Sequence, residues 1–140
     1  MASLKSLREG LAANLTTIAG YQVSAYELSS PTPPSIQVYV PGPIEYDTTM
    51  GRGSDEWTLG IRAVVALLTD KGAQKKLDLL MDSSGALSVK AKAEFDRTLG
   101  LGAEQAQAIV TECSGRLLFD FPGKPTMLGA EWTVKVIAAG

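Results

Sequence analysis

The chain has 140 residues and a mass of 14.8 kDa, the size of one domain built around one core. Apolar residues make up 45% and charged residues 20%, which excludes the low-apolar, high-charge composition of a disordered chain. Lysine and arginine number 13 against 15 acids, a formal charge of -2, so no basic surplus points to nucleic acid or to an anionic membrane.

Histidine is absent, and with it the commonest proton-transfer side chain near neutral pH, the commonest metal ligand and every triad that needs an imidazole. A single cysteine, Cys113, can form neither an intrachain disulfide nor a multi-cysteine metal site. The opening Met-Ala-Ser-Leu-Lys-Ser-Leu-Arg-Glu-Gly carries charge where a signal peptide needs an apolar run, and no later stretch approaches the length of a membrane span. The expected product is cytosolic or leaves the cell without secretion.

Leu4, Leu7, Leu11, Leu15 and Ile18 recur at alternating three- and four-residue steps, with Lys5, Arg8, Glu9 and Asn14 between them. That period predicts a helix from about Leu4 to Ile18, capped by Ser3 and ended by Gly20. The period then drops to two. Tyr21, Val23 and Ala25, and after them Ile36, Val38 and Val40, predict two half-buried strands. The proline-rich Ser29–Ser35 between them reads as a surface connection rather than a ligand for a proline-recognising domain.

Pro41 to Glu56 is rich in turn residues and poor in core anchors, so it is expected to project and move. Trp57 to Leu68 follows as a strand with Trp57, Leu59, Ile61, Ala63, Val65 and Leu67 on one face. The other face starts polar, at Thr58, Gly60 and Arg62, and turns apolar at Val64, Ala66 and Leu68, the pattern of a strand in the middle of a sheet. Thr69 or Asp70 is placed to cap a second helix with Ala73, Leu77, Leu80 and Met81 on its apolar face, ending near Ser83-Ser84-Gly85. A third, weaker helix is predicted from Ser88 to about Arg97, broken by Leu99-Gly100-Leu101-Gly102. Strands follow over Ile109–Ser114, Arg116–Phe121 and Leu128–Ala138. The order argues for a single α+β domain, a largely antiparallel (mixed) β-sheet with two to three helices packed on one face.

The chain offers little chemistry. Gly51-Arg52-Gly53 lacks the strand-before, helix-after setting of a phosphate loop. The pairs Glu45 with Asp47 and Asp55 with Glu56 have no EF-hand spacing and read as solvated loop charge. No serine lies in a Gly-x-Ser-x-Gly or Ser-x-x-Lys setting. Cys113 reads as a small buried hydrophobe, and Asn14-Leu15-Thr16 as a chance glycosylation match inside a helix. Trp57 and Trp132 read as core side chains, with an interface anchor as the livelier alternative. No catalytic, cofactor or metal residue is expected.

Several passages resemble the tail terminator, or tail-completion, minor tail proteins of long-tailed phages with non-contractile tails. They are Leu7-Arg8-Glu9-Gly10-Leu11-Ala12-Ala13-Asn14-Leu15 with Gly20-Tyr21-Gln22-Val23-Ser24-Ala25-Tyr26, then Pro33-Pro34-Ser35-Ile36-Gln37-Val38 leading to Ile44-Glu45-Tyr46-Asp47. The strand from Glu56 to Leu68 with its helix through Leu80, and Leu128-Gly129-Ala130-Glu131-Trp132-Thr133-Val134, complete the set. The resemblance is one of order and texture over nearly the whole chain. It implies a structural virion protein, assembled in the host cytoplasm, whose hexameric ring caps the head-proximal end of the tail tube, ends tube polymerisation and joins tail to head. Its implied partners are copies of itself, the major tail tube protein and a head-completion protein, and it implies no enzymatic activity, no cofactor and no membrane. DNA would only pass through the bore. Tyr46, Asp47, Met50, Arg52, Asp55 and Glu56 are then the candidate contacts with the tube. A head-tail connector of the neck, and a small ligand-binding or enzymatic α+β domain, are the alternatives.

Overall fold

The computed structural model describes residues 4–18, 21–26, 35–40, 44–45, 54–67, 71–85, 87–94, 97–99, 106–115, 117–120 and 126–139. Within them the leucine stripe forms α1 (Leu4–Leu15), with Leu7, Leu11 and Leu15 wholly buried. Each such leucine contributes roughly 1.5–3 kcal/mol by leaving water. The helix stops where Thr16 and Thr17 turn their hydroxyls back to the carbonyls of Ala13 (2.6 Å) and Asn14 (2.8 Å), the latter also accepting from the Thr17 N–H at 3.4 Å. Ser3 and Gly20, the expected caps, lie outside the described residues.

The period-two segments form β1 (Gln22–Ser24), β2 (Ser35–Tyr39), β4 (Ser54–Leu67), β5 (Ala106–Cys113), β6 (Leu117–Phe119) and β7 (Met127–Ala139), joined by a short β3 (Ile44–Glu45). All seven lie in one sheet of order β1-β2-β4-β7-β5, with β3 against β4 and β6 against β7. Every pairing is antiparallel except β1 with β2. The fold is α+β. As its two apolar faces predict, β4 sits in the middle of the sheet, and both Val64 and Val65 are buried.

The expected projecting segment Pro41–Glu56 is corrected at both ends. Ile44 pairs with Trp57 and Glu45 with Glu56, and β4 begins at Ser54, so Asp55 and Glu56 are strand residues opposite Ala138 and Ile137. Ser54, Asp55 and Glu56 carry the β4 ladder back past the point where side-chain alternation announces a strand, because backbone pairing with β7 asks little of the side chains. The remainder of that segment lies outside the described residues.

Helix α2 (Lys71–Met81) buries Leu77 and Leu80 and packs on β4 and β7. Helix α3 (Val89–Ala93) is shorter than expected. Ser88 caps it by accepting from the Ala91 N–H at 3.1 Å and donates to the Asp82 carbonyl. Its C-cap is Glu94, short of the predicted end near Arg97, and the Glu94 side chain reaches β5. The turn closes on Leu99, a buried non-glycine residue at φ 53°. That turn abuts α1 so closely that a Cβ on Gly10 would run into Leu99, which explains a glycine in the middle of a helix.

The helices cover one face of the sheet, formed by Trp57, Leu59, Ile61, Ala63 and Val65 of β4 and by Leu128, Ala130, Trp132, Val134 and Val136 of β7. Both tryptophans are core residues, at 8% and 2% exposure. Asn14, read as a polar-face residue of α1, is buried and donates to the Ala93 carbonyl at 3.1 Å, tying α1 to α3. Arg8 is likewise drawn inward. Its guanidinium donates to the carbonyls of Ala25 (2.8 Å) and Val38 (2.9 Å) and lies 4.6 Å from the Tyr26 ring centroid, fastening α1 to the ends of β1 and β2.

Candidate interaction surface

The opposite face of the sheet carries Tyr39 of β2, Glu56, Gly60 and Arg62 of β4, Glu131, Lys135 and Ile137 of β7, and Gln107 and Ile109 of β5, as the strand registers require. At its centre the Arg62 guanidinium donates to Glu131 Oε2 at 3.0 and 2.9 Å. It also lies 4.7 Å from the Tyr39 ring centroid and 5.4 Å from that of Phe119 in β6. The two rings are admitted by glycines. A Cβ on Gly60 would meet the Tyr39 ring, and one on Gly129 would meet the Phe119 ring and the Ala63 carbonyl. In this half of the face opposite charges are paired and the cation is held between aromatic rings.

The half nearer β5 differs. Ile109 and Ile137 stand 49% and 56% exposed beside a Lys135–Glu56 ion pair of 3.2 Å. With Arg97, Gln107 and Thr111 they line a groove of ≈ 240 Å³. Its volume falls below the usual range of small-molecule sites, about 300–1,000 Å³, and around the Lys135–Glu56 pair its polar lining is Arg97, Gln107 and Thr111. Two large aliphatics ringed by opposite charges suit a protein contact better.

A hollow of ≈ 120 Å³ on the helical side brings together Met81, Lys90, Val110, Cys113 and Trp132. The expectation of a buried Cys113 is corrected here, since the thiol is exposed. It ends the edge strand β5 just past a bulge at Thr111, where β7 flanks it on one side only. Its Sγ accepts from the Gly115 N–H at 3.4 Å.

Between groove and hollow runs the outer edge of β5. The Ala108 N–H donates to the Arg97 carbonyl at 2.8 Å, and the Val110 N–H donates to Glu94 Oε2 at 3.0 Å. The same carboxylate accepts from Lys90 Nζ at 2.7 Å and from Arg97 Nη2 at 2.9 Å, and its side chain is only 10% exposed. Burial alone would raise the Glu94 carboxyl, but the hydrogen bonds from Lys90, the Val110 N–H and Arg97 outweigh it and hold the group below the usual carboxylate range. The folded chain therefore favours the ionised form. Its stabilisation is complete above the unfolded value of about 4.3 and is lost as pH falls through the lower folded value. Urea midpoints taken from about pH 7 to about pH 3 are expected to fall more for the wild type than for Glu94→Gln, with the difference arising below about pH 4.5. Parallel curves would remove this carboxylate from the acid sensitivity.

Of the candidate contacts named from the sequence, Tyr46, Asp47, Met50 and Arg52 lie outside the described residues. Asp55 and Glu56 are brought to the β4 end that pairs with β7, and Glu56 lines the groove. The residues missed were Ile109, Ile137, Lys135 and Arg97. Ile137 did carry a signal, an aliphatic at a position where Glu131, Thr133 and Lys135 mark the polar face of β7. Among the described residues no group of three or more acidic or sulfur ligands comes together, and no helix is long and apolar enough to cross a membrane. No protein-family model matches the chain, and no curated protein matches it.

Proposed function

We propose that this chain is a structural virion protein, a ring-forming subunit that caps the head-proximal end of a phage tail tube, ends tube polymerisation and joins the tail to the head. One observation carries the reading. The passages that resemble tail terminator proteins supply, in the same order, α1, β1, β2, β4, α2 and β7, the central sheet and its helical cover rather than peripheral decoration. A ring of identical subunits needs a heterologous interface that closes, and the groove around Ile109 and Ile137 offers an aliphatic centre with a charged rim for one side of it. The tube contact falls to the segment carrying Tyr46, Asp47, Met50 and Arg52 together with Asp55 and Glu56. Six copies at -2 each carry -12, a sign that disfavours sticking of DNA in the bore.

Native mass spectrometry of the purified chain tests the ring, with a six-fold species as the expected result and a monomer at every concentration as the result that overturns it. In infected cells, loss of the chain is expected to give filled heads separated from abnormally long tails. Normal tails without it would overturn the capping role.

A further inference from the structure

The β5 edge joins a hazardous strand to a protective contact. Residues 106–111 read Ala-Gln-Ala-Ile-Val-Thr, six residues without charge, proline or glycine. They alternate buried and exposed positions, with Ile109 half exposed. Such a window on a sheet edge is a template for pairing, above all with an identical segment, because in-register copies satisfy each other's backbone groups and stack like side chains. Natural edges are usually blunted by a lysine, a proline, an inward charge or a bulge within the strand itself; in β5 the bulge at Thr111 and the charge of Glu112 come only near its end, and residues 106–110 have none of these. What closes it comes from outside. The turn after α3 sets the Arg97 carbonyl on the Ala108 N–H and the Glu94 carboxylate on the Val110 N–H, and Lys90 and Arg97 fix that carboxylate from both sides.

We infer that Glu94 and Arg97 together form an edge guard, occupying the Ala108 and Val110 backbone donors of β5 so that this strand does not pair with β5 of a second copy. A carboxylate suits the task because it accepts from the edge N–H yet offers no donor and no strand backbone to continue the sheet. The Lys90 and Arg97 pairs hold it in place at neutral pH, so the guard stays shut while the subunit is folded. The inference does not depend on the ring reading. It predicts association through β5 only when the guard is removed, whatever surface the intact subunit uses to assemble.

The test compares wild type, Glu94→Ala, Ile109→Lys and the double variant Glu94→Ala/Ile109→Lys by sedimentation velocity over a range of concentrations, with residue-resolved hydrogen exchange on the same samples. For Glu94→Ala the Val110 amide is expected to exchange roughly tenfold faster or more under conditions that report local opening. Species larger than the wild-type assembly are expected to grow with concentration. Because Ile109 also lines the groove assigned to the ring contact, the double variant is read against Ile109→Lys alone: it is expected to show the size of that single variant, with no larger species, while Val110 stays fast, because charge on an edge opposes strand addition without restoring the hydrogen bond. A wild-type size distribution for Glu94→Ala with Val110 opened would overturn the inference, as would association that the lysine leaves unchanged. Should Glu94→Ala not fold by circular dichroism, Glu94→Gln takes its place and size is read together with the Val110 amide: larger species with Val110 opened, or wild-type size with Val110 protected, support the guard, whereas wild-type size with Val110 opened, or larger species with Val110 protected, overturn it. A monomeric wild type in these runs would sink the ring reading and leave this comparison intact.

Discussion

Trp132→Ala is expected to destabilise the fold by about 3–5 kcal/mol, the range for removing a large aromatic from a packed core. The indole is 2% exposed and stands in β7 between Ile61 of β4 and Cys113 of β5, on the face the helices cover. Because β7 is the strand on which β4, β5 and β6 all pair, a cavity there loosens both the sheet and its contact with α2. Surrounding side chains relax only in part, so the cost includes the void as well as the lost transfer of the indole from water. Urea unfolding followed by far-UV circular dichroism measures it directly. A loss under about 1.5 kcal/mol, the cost of a tolerated core swap, would mean that Trp132 is not packed as described.

Leu11→Ala is expected to cost about 2–5 kcal/mol and to leave assembly intact in whatever fraction remains folded. Leu11 is wholly buried within a single subunit, in the cluster that joins α1 to Ile36 and Val38 of β2. A residue with no accessible surface in the subunit has nothing to offer a neighbouring one. Chemical denaturation and native mass spectrometry on the same sample separate the two roles. Near-wild-type stability with assembly lost would move the leucine stripe from the core to an interface between subunits.

Elements with strong local periodicity are legible in the order of residues alone, whereas the surroundings that strand register creates are not. The leucine spacing of α1, the two-faced pattern of β4 and the alternation around Trp132 each record a buried face within a dozen or so residues. Their type, their inward sides and the α+β class follow from that local pattern. Other features depend on partners far apart in the chain and arise only on folding. Arg62 meets Glu131 across 69 residues, and Asn14 meets the Ala93 carbonyl across 79; no period links such pairs. The parallel β1–β2 pairing and the two-residue β3 rest on backbone hydrogen bonds, which any residue except proline can make and which therefore leave little mark on composition. Cys113 is exposed although the bulge before it sets it opposite Trp132 on the helical side, because it ends an edge strand that β7 flanks on one side only. Glu94 is the clearest instance. At the end of a short helix it reads as ordinary surface charge, and it gains its role only where folding sets the α3 turn beside the outermost strand, since an edge exists only once the sheet has been assembled.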